Sequence, residues 1–114
     1  MMNDQQHYQE LLDPYLQELR RGLIVMAVLS QLEEPQYGYS LIKQLEEKGF
    51  EVDQGTLYPL LRRLEDRGLL ESDWVVDDPR PRKYYRINTT GTSILSDLKT
   101  EWNALVQVLE GVLS

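Results

Sequence analysis

Apolar residues recur along this chain with two different periods, and the switch between them divides it. Leu16, Leu19, Leu23, Met26, Ala27, Leu29 and Ser30 have neighbours three or four residues away, which predicts one long helix over residues 14 to about 33. Asp13-Pro14 predicts its start, with Asp13 as the cap and proline at the first helical position, where no N–H is needed. Gly22 is a point at which that helix can divide. Upstream, Tyr8, Leu11 and Leu12 keep helical spacing, so residues 1–13 read as an N-terminal arm or a short extra helix.

Glu34-Pro35-Gln36 breaks the first helix. A second follows over Tyr39 to Lys48, with Leu41, Ile42 and Leu45 as its apolar stripe and Gly49 at the position of a left-handed C-cap. Asp53 is placed to cap a third helix, whose Leu57, Leu60, Leu61 and Leu64 again keep helical spacing until Gly68 stops it. Past Leu69 the period becomes two. Leu70, Ser72, Trp74 and Val76 alternate with Glu71, Asp73, Val75 and Asp77, and Tyr85 and Ile87 alternate on the return. This predicts a hairpin with its turn at Asp77-Asp78-Pro79-Arg80-Pro81 and with Trp74 in the core.

Thr89-Thr90-Gly91 restarts a helix in which Leu95, Leu98, Trp102, Leu105, Leu109 and Val112 alternate between steps of three and four, widened by Ile94, Val106 and Leu113. Strict alternation of this kind is the seam of a coiled coil. Left exposed it is an aggregation liability, so a second copy is expected to cover it. The alternative is a helix that folds back on the N-terminal helix of its own chain. The expected fold class is mainly α with a β-hairpin: a winged helix-turn-helix over residues 14–88 and a long C-terminal dimerisation helix over 89–114.

Composition narrows the chemistry. A chain of 114 residues with 41% hydrophobic content supports one domain with a modest core. Cysteine is absent and His7 is the single histidine, which removes disulfides, thiolate metal sites and cysteine nucleophiles. No paired nucleophile and base or phosphate-cradling glycine loop points to an enzyme, and no cofactor or metal is expected. No apolar run reaches the roughly 18 residues of a membrane span, and Met1 to His7 carries no signal-peptide pattern, so a cytoplasmic protein is expected.

Charge complicates a nucleic-acid reading. Twelve basic and 19 acidic residues give −7, and a duplex is a polyanion. The sum hides a gradient: residues 1–18 carry Asp4, Glu10, Asp13 and Glu18 without a Lys or Arg, whereas residues 79–86 carry Arg80, Arg82, Lys83 and Arg86 without an acid. At physiological salt, exposed charges are screened beyond about 8 Å, so the local field matters more than the total.

Projecting residues 54–68 at the helical angle puts the leucines on one arc and Gly55, Pro59, Arg62 and Asp66 opposite, flanked by Tyr58 and Arg63. Small residues permit close approach, Thr56 and Tyr58 can bond a phosphate or a base edge, and Arg62 can reach guanine or phosphate. The plainer reading is a solvated face on which Arg62, Arg63 and Arg67 alternate with Glu65 and Asp66. Pro59 removes an N–H and restricts Tyr58, so either the first turn is irregular or the helix begins later than Asp53. At the hairpin tip, Arg80, Arg82 and Lys83 form a patch that suits a phosphate backbone; pairing with Asp77 and Asp78 is its plainer role. Trp102 is either interface core or an aromatic wall for a ligand.

Four segments together resemble the PadR family of bacterial transcriptional regulators: Arg21 to Leu29, Tyr37-Gly38-Tyr39-Ser40-Leu41, Gly55 to Glu65, and Arg80-Pro81-Arg82-Lys83-Tyr84-Tyr85-Arg86. The resemblance implies a winged helix-turn-helix of the compact class with a single C-terminal helix. It implies that Tyr39, Ser40, Lys43, Thr56, Tyr58, Pro59, Arg62, Arg82 and Lys83 face double-stranded DNA. It also implies dimerisation through the C-terminal helix with an effector bound near that interface, so Leu95, Leu98, Trp102, Leu105, Val106 and Leu109 are expected to line the effector site or the dimer interface. Gln54 departs from the proline common in relatives, and the wing lacks their glycines. The expected function is a homodimeric repressor released from its operator by a small aromatic, cationic or lipophilic effector. The acidic total favours the alternative, a winged-helix protein-interaction module or anti-repressor that does not bind DNA itself.

Overall fold

The computed structural model describes residues 3–76 and 80–114, so Asp77, Asp78 and Pro79 of the expected turn lie outside the described residues. Four helices and a two-stranded antiparallel sheet follow one another as α1 (Asp4–Ser30), α2 (Gly38–Glu47), α3 (Gln54–Asp66), β1 (Leu70–Val75), β2 (Arg82–Ile87) and α4 (Thr89–Leu113). This is the predicted order, helical with a hairpin.

The first helix departs from its expected start. Asn3, not Asp13, caps it: the Asn3 side chain accepts the Gln6 N–H at 2.7 Å while the Gln6 side chain accepts the Asn3 N–H at 3.0 Å. A reciprocal box of this kind ties up two donors, and the helix then runs unbroken through Pro14 and past Gly22. Pro14 removes one backbone hydrogen bond, but it sits on an exposed stretch where water reaches the freed carbonyl. Asp13 instead accepts from the Gln9 amide one turn earlier at 2.6 Å.

Glycine ends the next two helices for one reason. Gly49 and Gly68 have φ of 86° and 84°, the left-handed region that L side chains avoid. Each allows the chain to reverse so that the following N–H groups satisfy the last carbonyls. Phe50 donates to Leu45 and Gly49 to Glu46, both at 2.9 Å; Leu69 donates to Leu64 and Gly68 to Glu65, also at 2.9 Å. Asp53 caps α3 as expected, accepting from the Thr56 N–H at 2.7 Å. The helix therefore starts at Gln54, and Pro59 lies inside it rather than before it.

Leucines from three helices meet in one core: Val28, Leu29 and Leu32 from α1 and its end, Leu41 and Leu45 from α2, and Leu57, Leu60, Leu61 and Leu64 from α3, closed by Val52, Leu70 and Tyr85. Leu70 pairs with Ile87 and Val75 with Arg82 across the sheet. Gln36 adds a bridge to the far edge of β2, exchanging both backbone hydrogen bonds with Tyr85 at 3.0 and 2.9 Å. Trp74 is not in the core. It is 65% exposed, because the hairpin extends beyond the leucines that cover Leu70 on the same face.

Asn88 joins the end of α3 to the start of α4. Its side-chain oxygen accepts from the Gly91 N–H and its side-chain amide donates to the Gly68 carbonyl, both at 2.8 Å. Leu95 then packs on the domain's own core, while Leu98 is half-buried. Farther along, Trp102, Leu105, Val108, Leu109, Val112 and Leu113 are exposed, as are Tyr8, Leu11, Tyr15 and Leu19 on α1. The radius of gyration is 17.1 Å, against about 13 Å for a compact chain of this length.

Candidate nucleic-acid interface

Helix α3 turns Leu57, Leu60, Leu61 and Leu64 inward, and this leaves Thr56, Pro59, Arg62 and Arg63 exposed. Tyr58 lies between the two faces, half-buried. Its ring rests on Gly38 at the start of α2, where an added Cβ would fall 2.3 Å from the ring carbon Cε1. Only glycine leaves room for that ring. The sequence reading assigned Tyr58 to the outward face and missed its seat on Gly38, a contact between residues 20 positions apart that periodicity does not report.

On α2, Ser40 donates its hydroxyl to the Tyr37 carbonyl at 2.9 Å, so its oxygen is left as an acceptor. Tyr39 is half-exposed and stacks on Tyr37 with ring centres 6.4 Å apart, while the Lys43 ammonium stands 5.6 Å from the Tyr39 ring. An open groove of about 600 Å3 runs along this helix, lined by Tyr37, Tyr39, Ser40 and Lys43 among others. Beneath it, the Gln36 amide donates to the Gln31 carbonyl at 2.8 Å and to the Gln44 side chain, whose own amide donates to Gln31 at 2.8 Å. These side-chain amides bind the end of α1 to α2 and to the strand bridge.

The wing divides its cations between two faces. Successive residues of a strand point to opposite sides. Arg82 stacks over Tyr37 at 4.6 Å, and Tyr84 meets the edge of the same ring at 5.4 Å. Lys83 points the other way, 3.1 Å from the Glu65 carboxylate of α3 and 5.3 Å from the Tyr85 ring. Arg86 pairs with Glu71 across the hairpin at 2.6 Å. Tyr37 and Glu65 fall outside the set expected from sequence to face DNA, although each holds one wing cation. The suggested pairing of the tip with Asp77 and Asp78 lies outside the described residues.

Electrostatics follow these contacts. Hydrogen bonds from the Thr56 side chain and N–H hold the Asp53 carboxyl below its ordinary value. The Ser72 hydroxyl, and then Lys83, do the same for Glu65. The Glu65 carboxylate in turn raises the Lys83 ammonium above its ordinary value.

Helix, helix, helix and hairpin in this arrangement coincide with a known pattern of sequence: residues 25–97 match the transcriptional regulator PadR-like family. The chain belongs to that family. PadR family members are transcriptional regulators rather than enzymes, and DNA binding is what the family implies for this chain. A PadR family regulator from Eggerthella lenta, solved by crystallography, superposes with a TM-score of 0.83 at 44% identity, covering 94% of this chain and 92% of its own. A Streptococcus transcriptional regulator gives 0.74 at 33% identity over 84% and 97%. The transcriptional regulator Rv3488 of Mycobacterium tuberculosis is 35% identical over 83 residues, 72% of this chain and 78% of that protein. Among the described residues no helix is long and apolar enough to cross a membrane.

Proposed function

We propose that this PadR regulator is a homodimeric, operator-specific repressor released from DNA by a small aromatic, cationic or lipophilic effector. The observation that carries the reading is the division of α3, whose leucines are buried while Thr56, Pro59 and Arg62 are exposed beside a wing that presents Arg82. Nine of the chain's 12 basic residues fall between Lys43 and Arg86, together with ten of its 19 acidic ones, so this stretch carries only −1 of the total −7 and its positive field is local, at Arg62, Arg63 and Arg82. Thr56, Tyr58, Pro59 and Arg62 would meet the major groove. Tyr39, Ser40, Lys43 and Arg82 would meet the flanking phosphates.

Dimerisation is supported by the apolar residues left exposed on α1 and α4 and by a radius of gyration larger than a compact monomer of this length has. A second copy laid along Trp102, Leu105 and Leu109 would bury them. An effector binding between those helices with different affinities at different dimer angles would shift the angle at which two half-sites fit. Leu95 belongs less to that surface, because it packs inward.

Footprinting on the DNA upstream of the chain's own gene, at moderate salt, tests the reading. Protection of two half-sites about one helical turn apart is expected. Protection without sequence dependence, or none, favours a protein-binding module.

A further inference from the structure

The wing is fastened to the recognition helix by one carboxylate. Glu65 lies near the C-terminal end of α3, and its two oxygens are divided between the two strands. The Ser72 hydroxyl of β1 donates to Oε2, and the Lys83 ammonium of β2 reaches Oε1 at 3.1 Å. Both charged side chains are roughly 30% exposed, which shields the pair from solvent more than a surface salt bridge. The ammonium is further held over the Tyr85 ring, and Tyr85 is itself part of the core. Arg82, one residue earlier, makes no ion pair among the described residues.

We propose that Glu65 is a positioning residue for DNA recognition, fixing the angle between α3 and the wing through Ser72 and Lys83, and that Lys83 is therefore a strut and not a phosphate contact. The geometry leaves little alternative use for Lys83. To reach a phosphate it would have to abandon a half-buried carboxylate and an aromatic face, leaving Glu65 with an unpaired charge beside a polyanion. Arg82 has no such tie among the described residues, and its guanidinium is stacked on Tyr37 on the face shared with α2. Fixing the wing before binding lowers the entropy lost on docking. The two adjacent cations thus have different work, one in contact with DNA and one inside the protein.

This inference rests on the DNA-binding reading, and charge exchange separates the two. Affinity for the upstream DNA that footprinting defines is measured across a series of salt concentrations for the wild type, Lys83→Gln, Lys83→Glu, and Lys83→Glu combined with Glu65→Lys, with thermal midpoints recorded alongside. A strut predicts that Lys83→Gln weakens binding about tenfold with the wild-type salt slope. It also predicts that the exchanged pair returns to within about threefold of wild type. A phosphate contact predicts a slope reduced by about 0.9 per protomer and an exchanged pair that binds no better than Lys83→Glu alone; either outcome overturns the proposal. Wild-type protein that does not bind DNA at all defeats the underlying reading instead. The strut is then judged in the free protein by NMR titration, where Lys83→Gln must raise the Glu65 carboxyl and quicken exchange of the wing amides. If neither moves, the strut is refuted.

Discussion

The ring of Tyr58 rests on the α-carbon of Gly38, so that α3 and α2 touch through an aromatic edge and a missing side chain. A Cβ at position 38 would displace the outer end of the ring, the far end of a side chain that can shift where backbone could not. Gly38→Ala is therefore expected to move the thermal midpoint little and to weaken operator binding by about tenfold, the size of one good side-chain contact. Paired melting and binding measurements check this. A large fall in stability with intact binding would contradict it.

Gly91 is a different case, because its neighbour is backbone. A Cβ there would lie 2.3 Å from the Leu69 carbonyl oxygen and 2.7 Å from Cγ1 of Ile87. Neither can yield without moving the junction of α3, the sheet and α4. Gly91→Ala should destabilise the fold by about 1–3 kcal/mol. Gly22, exposed inside α1 with nothing within 4 Å of an added Cβ, should respond oppositely, with Gly22→Ala gaining about 0.5–1 kcal/mol. Urea denaturation of the two variants compares them directly.

Acid should loosen the wing. The Glu65 carboxyl is held below its ordinary value of 4.5, chiefly by the Ser72 hydroxyl and then by Lys83. Since its folded value is lower than its unfolded one, its stabilising contribution is complete above the unfolded value and is lost as pH falls through the folded one. Glu65→Gln should thus be less stable than wild type at neutral pH, and the difference should shrink below about pH 4.5. Denaturation curves at pH 7 and pH 3 decide it; a gap that persists at pH 3 would count against an ionic role.

The exposed end of α4 gives a prediction about assembly. Leu109 is half-exposed in the single chain. A second copy covering it would make Leu109→Glu place two carboxylates in an apolar seam, so sedimentation should find monomer where wild type is dimer. In the dimer, Trp102 emission should be quenched by a bound aromatic compound, and Trp102→Leu should abolish that signal. Retained quenching would assign it to Trp74, which is also exposed.

Local features were readable from sequence and relations between elements were not. Gly49, Gly68 and Asp53 act through their own backbone and near neighbours, and each ends or starts a helix where its chemistry predicts. The leucine spacing of α3 likewise sorted its buried from its exposed face. Pattern failed where the outcome depended on distant partners. Trp74 shares the face of Leu70, yet only the tertiary reach of the core decides that one is covered and the other exposed. One local signal was missed as well: Asn3 and Gln6 form a capping box upstream of Asp13-Pro14 and start the helix there. Arg82 and Lys83 are adjacent in sequence, and their separate partners, Tyr37 and Glu65, are 45 and 18 residues away.

Selection of bound fragments from random DNA, run in parallel with wild type and Arg62→Ala, tests most directly whether α3 reads sequence. Wild type should enrich a motif with two related half-sites. Arg62→Ala should lose preference at one position in each half-site, worth about 1–3 kcal/mol, while keeping the rest. Failure of the wild type to enrich any motif, or an identical motif from Arg62→Ala, would contradict recognition through this face.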